Sequence, residues 1–248
     1  MTNHQLQIQH FVFGPFQTNT YVVSINDEMV NEQMVLVIDP ACSNQYEQHQ
    51  LYTYIESIRR SRSVSETVCQ CNGLSGEAGL SLIATHGHLD HLWGAKWATE
   101  QWNTPVLMHE ADIPMAKAMQ QQYELFGIRA TPEPFPIESL TDEVGLTVKR
   151  SVSETVCQRS GLSILSTPGH TPGSICLYFP NSLNSNSLTP SFLISGDTLF
   201  RMGYGRTDLP GGNFGQLISS LERLFELPSD VRVYPGHGEF TTIGAERR

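Results

Sequence analysis

The chain has 248 residues, of which 39% are hydrophobic and 16% charged, and it carries a formal net charge of −10 at pH 7. This length allows a sizeable core, while the acidic balance argues against a nucleic-acid-binding surface or a polybasic membrane-surface role. With no secretory-signal features, no apolar run of membrane-spanning length and no CxxC pair among the five cysteines, we expect a cytoplasmic protein with reduced thiols.

Short β-branched runs alternate with helical patterns along the chain. The predicted elements of the first half are, in order, strands 21–25 and 34–38, a helix 44–60, a strand 80–84, a helix 92–102, a strand 105–108 and a helix 111–126. After a proline-rich link come strands 146–148, 162–165, 175–179, 192–194 and 231–234, with a helix 214–225 before the last of them. This alternation indicates a layered α/β or α+β domain and not a helical bundle or an all-β barrel.

One segment occurs twice. Residues 62–75 recur as 150–163 with only two differences, but the flanking residues do not match, as they would in a structural repeat. We interpret both copies, and the polar stretch 181–190, as insertions into surface loops, where extra length costs little stability. The sequence therefore predicts a single domain over 1–248 with loop insertions near 61–75, 150–163 and 181–190, none of which carries the function.

The residues suited to chemistry lie in four short motifs, each at the end of a predicted strand. Their ligand-type side chains are His86, His88, Asp90, His91, His170, Asp197 and His237. Loops at the same end of a sheet share one edge, so these distant motifs can converge on one pocket.

Imidazole and carboxylate groups suit zinc, iron or manganese. Seven such side chains are more than one four-coordinate ion can use, whereas two neighbouring ions that share a carboxylate and a water would use all of them. Such a pair lowers the pKa of the shared water toward neutrality and polarises a carbonyl group under attack. We therefore predict a hydrolase with two divalent metal ions, with zinc as the first choice and iron or manganese as alternatives.

These motifs resemble those of the metallo-β-lactamase-fold hydrolases, specifically the short glyoxalase II-like hydroxyacylglutathione hydrolases that lack a helical C-terminal domain. The resemblance runs from about Phe11 to Ile243. It rests on THGHLDH at 85–91, PGHTPGS at 168–174, SGDTLF at 195–200, GRTDLPGG at 205–212 and YPGHG at 234–238. It implies an α+β fold, a four-layer αβ/βα sandwich with two central sheets and helices outside.

The resemblance also implies how the ligands are shared. His86, His88 and His170 would hold one metal, Asp90, His91 and His237 the other, and Asp197 would bridge them. Asp90 would in addition orient the nucleophile as the catalytic residue. Asp39 would lie beside the metal site without binding an ion.

The implied reaction is hydrolysis of a small-molecule thioester, with S-lactoylglutathione as the first choice and lactate and glutathione as products. The alternatives are a mononuclear-iron persulfide dioxygenase, another ester or lactone hydrolase on the same fold, and a non-catalytic metal-binding protein. The Pro-Gly-His-Gly run at 235–238 favours the hydrolase. Arg201, Tyr204 and Arg206 are candidates to meet an anionic substrate, but for Arg206 we favour a structural turn in which it forms a salt bridge with Asp208. The oligomeric state stays open.

Overall fold

The computed structural model of the protein describes residues 4–27, 32–60, 79–140, 162–180 and 190–247. The predicted strand 146–148 and the predicted insertion 61–75 lie outside these ranges, as do the insertions 150–163 and 181–190 except for residues 162, 163 and 190. The single-domain organisation over 1–248 therefore stays a prediction. Within the described ranges, no helix has the length and apolar character that crossing a bilayer requires.

The first half of the chain forms a sheet whose spatial order follows the chain order. Within the described residues its strands are β1 (His4–Phe13), β2 (Thr18–Asp27), β3 (Glu32–Ile38), β4 (Leu80–Ile83), β5 (Val106–His109) and β6 (Ile137–Leu140). The strands β1, β2 and β3 pair antiparallel, whereas β3 to β6 run parallel. The pairing of β2 with β3 confirms the predicted early pair of strands, while β1 and β6 were not predicted.

Helices cover the outer face of this sheet. They are α1 (Gln45–Arg60), α2 (Ala95–Trp102), a 3-10 turn (Glu110–Asp112), α3 (Ile113–Lys117) and α4 (Met119–Leu125). The prediction of one helix over 111–126 is wrong, because Pro114 has no N–H to donate and so belongs in the first turn of a new helix. The helix predicted to begin at 92 begins at 95, because residues 89–94 form turns, with the Leu92 N–H donating to the Leu89 carbonyl and the Ala95 N–H to the Leu92 carbonyl.

The second half of the chain forms the other main sheet. Its strands in spatial order, among the described residues, are β13 (Thr241–Thr242), β12 (Arg232–Pro235), β9 (Phe192–Gly196), β8 (Ile175–Phe179) and β7 (Ser163–Ser166). The pair β9–β12 is parallel and the other pairs are antiparallel. A small hairpin, β10 (Leu199–Phe200) and β11 (Gly203–Tyr204), and the helices α5 (Phe214–Leu224) and α6 (Ile243–Glu246) complete this half.

Three apolar clusters define the layers. Alternate side chains of a strand face opposite sides, so Val35 and Val37 of β3 pack toward α1, whereas Leu36 and Ile38 pack toward the second sheet. Likewise, Leu177 of β8 faces the centre, and the third cluster joins the second sheet to α5. The result is the predicted α+β sandwich of helix, sheet, sheet and helix layers.

The two sheets meet where the Ile175 N–H at the start of β8 donates to the Thr85 carbonyl after β4 at 2.9 Å, and where the Asn19 N–H of β2 donates to the Gly236 carbonyl after β12 at 2.7 Å. Within the second sheet, the Gly236 N–H donates to the Gly196 carbonyl of β9 at 2.7 Å. The loops that leave these strands are therefore held side by side, although they come from different halves of the chain.

Candidate metal centre

The seven predicted side chains lie together at this edge. His86, His88, Asp90 and His91 follow β4, His170 follows β7, Asp197 follows β9, and His237 follows β12. Four of the histidines are buried, with exposed fractions of 1% for His86, 8% for His88, 0% for His91 and 3% for His170. Asp90, Asp197 and His237 keep some exposure, so the centre opens to solvent on their side.

We call His86, His88 and His170 the first ligand group. Their rings lie edge to face with centroids 4.6–4.8 Å apart, and His88 Nδ1 is 2.9 Å from His170 Nε2. The Thr85 hydroxyl donates to Asp39 Oδ2, so its oxygen is free to accept from His86 Nδ1 at 3.1 Å. The lone pair of His86 is then on Nε2, which is buried and has no hydrogen-bond partner in the described part of the chain.

We call Asp90, His91 and His237 the second ligand group. His237 Nε2 lies 3.0 Å from Asp90 Oδ2 and 3.3 Å from His91 Nε2. The outer nitrogens of both rings face acceptors, since His91 Nδ1 is 2.9 Å from Asp39 Oδ2 and His237 Nδ1 is 3.1 Å from the Phe16 carbonyl. Donation from each Nδ1 turns Nε2 toward the centre.

Asp197 lies between the two groups. Its Oδ2 is 3.5 Å from His170 Nε2 and 3.6 Å from His237 Nε2, and its Oδ1 is 3.3 Å from His91 Nε2. That Oδ1 atom is buried without a hydrogen bond of good geometry to any described residue. Buried polar atoms are nearly always paired, so two unpaired ones in the same pocket, on His86 and Asp197, point to a missing ligand.

The donor set fits metal ions in both chemistry and spacing. In each ligand group the donor atoms lie within 4.8 Å of one another, and neighbouring donors are 2.9–3.6 Å apart. Ligands on a tetrahedral ion with bonds of 2.0–2.1 Å are about 3.3 Å apart. The seven residues therefore fit two cations, while their role as ligands stays a prediction.

Burial and charge act differently on the two groups. Burial lowers the pKa of His86 well below its ordinary value, and neighbouring histidines lower it further. Burial likewise lowers the pKa of His88 to about 4. Burial also disfavours charge on His91, but Asp90, Asp39 and Asp197 outweigh it and raise its pKa well above the ordinary value.

Comparison with known proteins identifies the family. The model of the metallo-beta-lactamase superfamily matches residues 13–237, which end at the last of the predicted ligands. The chain belongs to this superfamily. It is similar to the probable metallo-hydrolase YqgX of Bacillus subtilis (strain 168), with 30% identity over 237 residues that cover 94% of this chain and 91% of that protein.

Two solved structures are similar to this chain over nearly their whole length. The crystal structure of TTHA1623 in a di-iron-bound form has a TM-score of 0.69 and 28% identity, and the match covers 97% of each chain. The crystal structure of the BLEG-1 B3 metallo-beta-lactamase has a TM-score of 0.69 and 26% identity, with 97% of this chain and 96% of that chain covered.

Close packing at the superfamily motifs explains one of their glycines. A Cβ on Gly236 would lie 2.2 Å from Asp197 Oδ1 and 2.7 Å from His91 Cε1. A side chain at this position would push the central carboxylate away from the second ligand group. The Pro-Gly-His run therefore needs glycine because strand β12 passes directly behind the donors.

The substrate candidates among the charged residues are already paired. Arg206 makes a bidentate ion pair with Asp208, at 2.6 Å for each hydrogen bond, while its carbonyl accepts from His170 Nδ1 at 2.7 Å. Arg201 pairs with Glu239. Tyr204 is 49% exposed and lies beside Phe214, so of the three candidates only this side chain is not held by an ion pair.

Sequence reasoning missed several residues that support the donors. The Thr18 hydroxyl donates to Asp90 Oδ2 at 3.2 Å, and the Gln122 amide accepts from the Leu89 N–H at 2.9 Å and donates to the Gly87 carbonyl at 3.0 Å. Asp112, at the end of the 3-10 turn, contacts two of the ligand loops. These residues follow no spacing pattern with the histidines, so no local signal could have found them.

Proposed function

We propose that this protein is a metal-dependent hydrolase with two divalent cations that cleaves thioesters, with S-lactoylglutathione as the first substrate to test. The observation that carries the proposal is the convergence of seven imidazole and carboxylate side chains on one pocket, with buried unpaired atoms on His86 and Asp197. The similarity to probable metallo-hydrolases supports the reaction class. We also propose that the protein belongs to the short glyoxalase II-like subfamily.

The identity of the metal is proposed as zinc or iron. Nitrogen and carboxylate donors suit both ions. The di-iron form of TTHA1623, at 28% identity, supports a pair of ions and makes iron a stronger candidate. Metal analysis of protein purified from its own host under gentle conditions would separate these choices.

The chain supplies the rest of the chemistry. When bound, the two cations would acidify a shared water and polarise the acyl carbonyl. Burial opposes the charge of Asp90, but His91 and His237 outweigh it and hold the pKa of that carboxyl below its usual range, so it is an acceptor at neutral pH. Thr18 fixes the orientation of this carboxylate. The departing thiol has an ordinary pKa near ~8.5, so it leaves with little help from an acid.

The test is turnover of S-lactoylglutathione by the metal-loaded protein, with and without chelator. We expect Asp90→Ala to lower turnover on the order of a thousandfold, because a ligand and the group that orients the nucleophile are lost together. The control is Asp230→Ala, which removes an exposed carboxylate in the loop between α5 and β12 and should keep full activity. Equal activity of both variants would refute the role of Asp90.

A second candidate reaction is β-lactam hydrolysis, which the similarity to the BLEG-1 enzyme favours. The same pocket would then act on a strained amide. A chromogenic cephalosporin assayed beside the thioester compares the two reactions directly, and faster cephalosporin cleavage would replace the thioester proposal. Oxygen uptake with glutathione persulfide and a single bound iron would instead support the dioxygenase.

A further inference from the structure

Asp112 is a buried carboxylate that binds none of the proposed cations. It lies at the end of the 3-10 turn after β5, and its exposed fraction is 0%. Burying a carboxylate is costly unless several hydrogen bonds satisfy it, so the hydrogen-bond partners of Asp112 indicate its role in the fold.

Those partners come from the two loops that carry the first ligand group. Oδ2 of Asp112 accepts from the Gly87 N–H at 2.8 Å and from the Thr171 hydroxyl at 2.6 Å. Oδ1 accepts from the Gly173 N–H at 2.6 Å. Gly87 stands between His86 and His88, and Thr171 directly follows His170. One carboxylate therefore ties the loop after β4 to the loop after β7, which belong to different sheets.

The packing around Asp112 leaves this tie little freedom. A Cβ on Gly173 would lie 2.7 Å from Asp112 Cγ, and a Cβ on Gly87 would lie 2.9 Å from the Asp112 carbonyl oxygen. Both loops thus approach the carboxylate at glycines, where backbone N–H groups reach it without a side chain in between. Charge-assisted hydrogen bonds of this kind are short and directional, so they define the distance between the loops.

That distance matters because two imidazole nitrogens meet across it. His88 Nδ1 and His170 Nε2 lie 2.9 Å apart, and neutral lone pairs at this separation repel unless a proton or a cation lies between them. We propose that Asp112 is a positioning residue that holds the His86–His88 loop against the His170 loop and so prepares the first ligand group for a cation. This inference rests on the proposed metal centre but not on the reaction that the centre performs.

The test is a Co²⁺ titration of the full chain, followed by visible absorption, in a His237→Ala background that leaves the first ligand group as the main site. Asp112→Asn keeps the size of the side chain but turns an NH₂ group toward an N–H or hydroxyl donor. We expect it to weaken Co²⁺ binding by about 10–100-fold and to change the cobalt absorption, as expected when a group that orients a ligand is lost. Thr171→Val removes a single donor at nearly constant volume, and we expect a smaller loss in the same direction.

The matched control is Glu47→Gln. Glu47 also accepts backbone N–H groups, from Gly14 at 3.2 Å and Ser43 at 2.6 Å, but it contacts none of the ligand loops. The Glu47→Gln variant should lower the thermal stability of the metal-free protein and leave the cobalt affinity and spectrum unchanged.

If both Asp112→Asn and Thr171→Val bind Co²⁺ with the affinity and the spectrum of the His237→Ala parent, the proposal is overturned. If Asp112→Asn does not fold, the result for Thr171→Val decides. Absence of Co²⁺ binding in the parent protein would overturn this inference together with the metal centre. Tight Co²⁺ binding by the chain with His237 intact, without thioester turnover, would refute only the proposed reaction.

Discussion

The two ligand groups at the centre carry different charge before any cation binds. In the first, burial among other histidines lowers the pKa of His86 and of His88, so both rings are neutral at pH 7. In the second, His91 lies among Asp39, Asp90 and Asp197, which raise its pKa and keep it protonated. Residues five positions apart in one motif thus differ because their neighbours differ.

This contrast shows how one fold can prepare two unlike sites side by side. A neutral imidazole offers its lone pair to a cation directly, whereas a protonated one must first release its proton. His86 and His88 therefore offer their lone pairs to a cation directly, whereas His91 must exchange its proton for the cation. Asp197 contacts donors of both groups, so a substitution of Asp197 should affect both.

The largest effect is expected from Asp197→Ala, because it acts on both groups at once. Losing the central carboxylate should lower the content of bound metal from two ions to one or fewer per chain and reduce turnover on the order of a thousandfold, or about 4 kcal/mol. Metal analysis and steady-state kinetics measure the two effects. A variant that still holds two ions and turns over normally would show that the groups are independent.

A smaller effect, which separates the groups, is expected from pH. His91 and His237 both have a raised pKa, so a rise in pH favours the cation. Affinity at the second group should therefore rise between pH 6 and 8, by about tenfold per pH unit for each proton that the cation displaces. His86 and His88 have lowered pKa values, with His88 at about 4, so the first group has no proton on these rings to release in this range.

Titrations at several pH values, in His88→Ala for the second group and His237→Ala for the first, measure each dependence. The cation should release more protons into weak buffer in the variant that keeps the second group intact. Equal slopes for the two variants would contradict the charge difference described above.

The smallest effect is expected from Gly236→Ala. The added Cβ would displace Asp197 and His91, so we expect a loss of about 1–3 kcal/mol in the free energy of unfolding and weaker binding at the second group than at the first. Denaturant unfolding of the metal-free protein measures the loss of stability, and a cobalt titration measures the loss of binding at each group. Gly203→Ala is the matched control, since a Cβ there meets no atom within 4 Å, and equal losses in the two variants would rule out the crowding argument.

Much of the fold was predictable from short stretches of sequence. The strand predicted at 175–179 matches β8, and the helix predicted at 214–225 matches α5 within one residue. Period-2 and period-3.6 patterns arise from the geometry of a single element, so they can be recognised without knowing its neighbours. The edge strands β1 and β6 were not predicted. β1 does carry the period-2 signal of a strand, since Leu6 and Ile8 alternate with glutamines, whereas β6 mixes polar and apolar residues within only four positions.

The candidate site also has a part that the sequence predicts and a part that depends on the assembled fold. All seven donors were recognisable, because their side-chain types cluster within a few residues at strand ends. The ion pair of Arg206 with Asp208 was also recognisable, because the two residues are two positions apart. Packing of the two sheets was needed, in contrast, to bring Asp112 within reach of Thr171, which is 59 residues away. Hydrogen bonds of this kind form where loops from separate halves meet, so their partners depend on the assembled fold and leave no pattern in either stretch of chain.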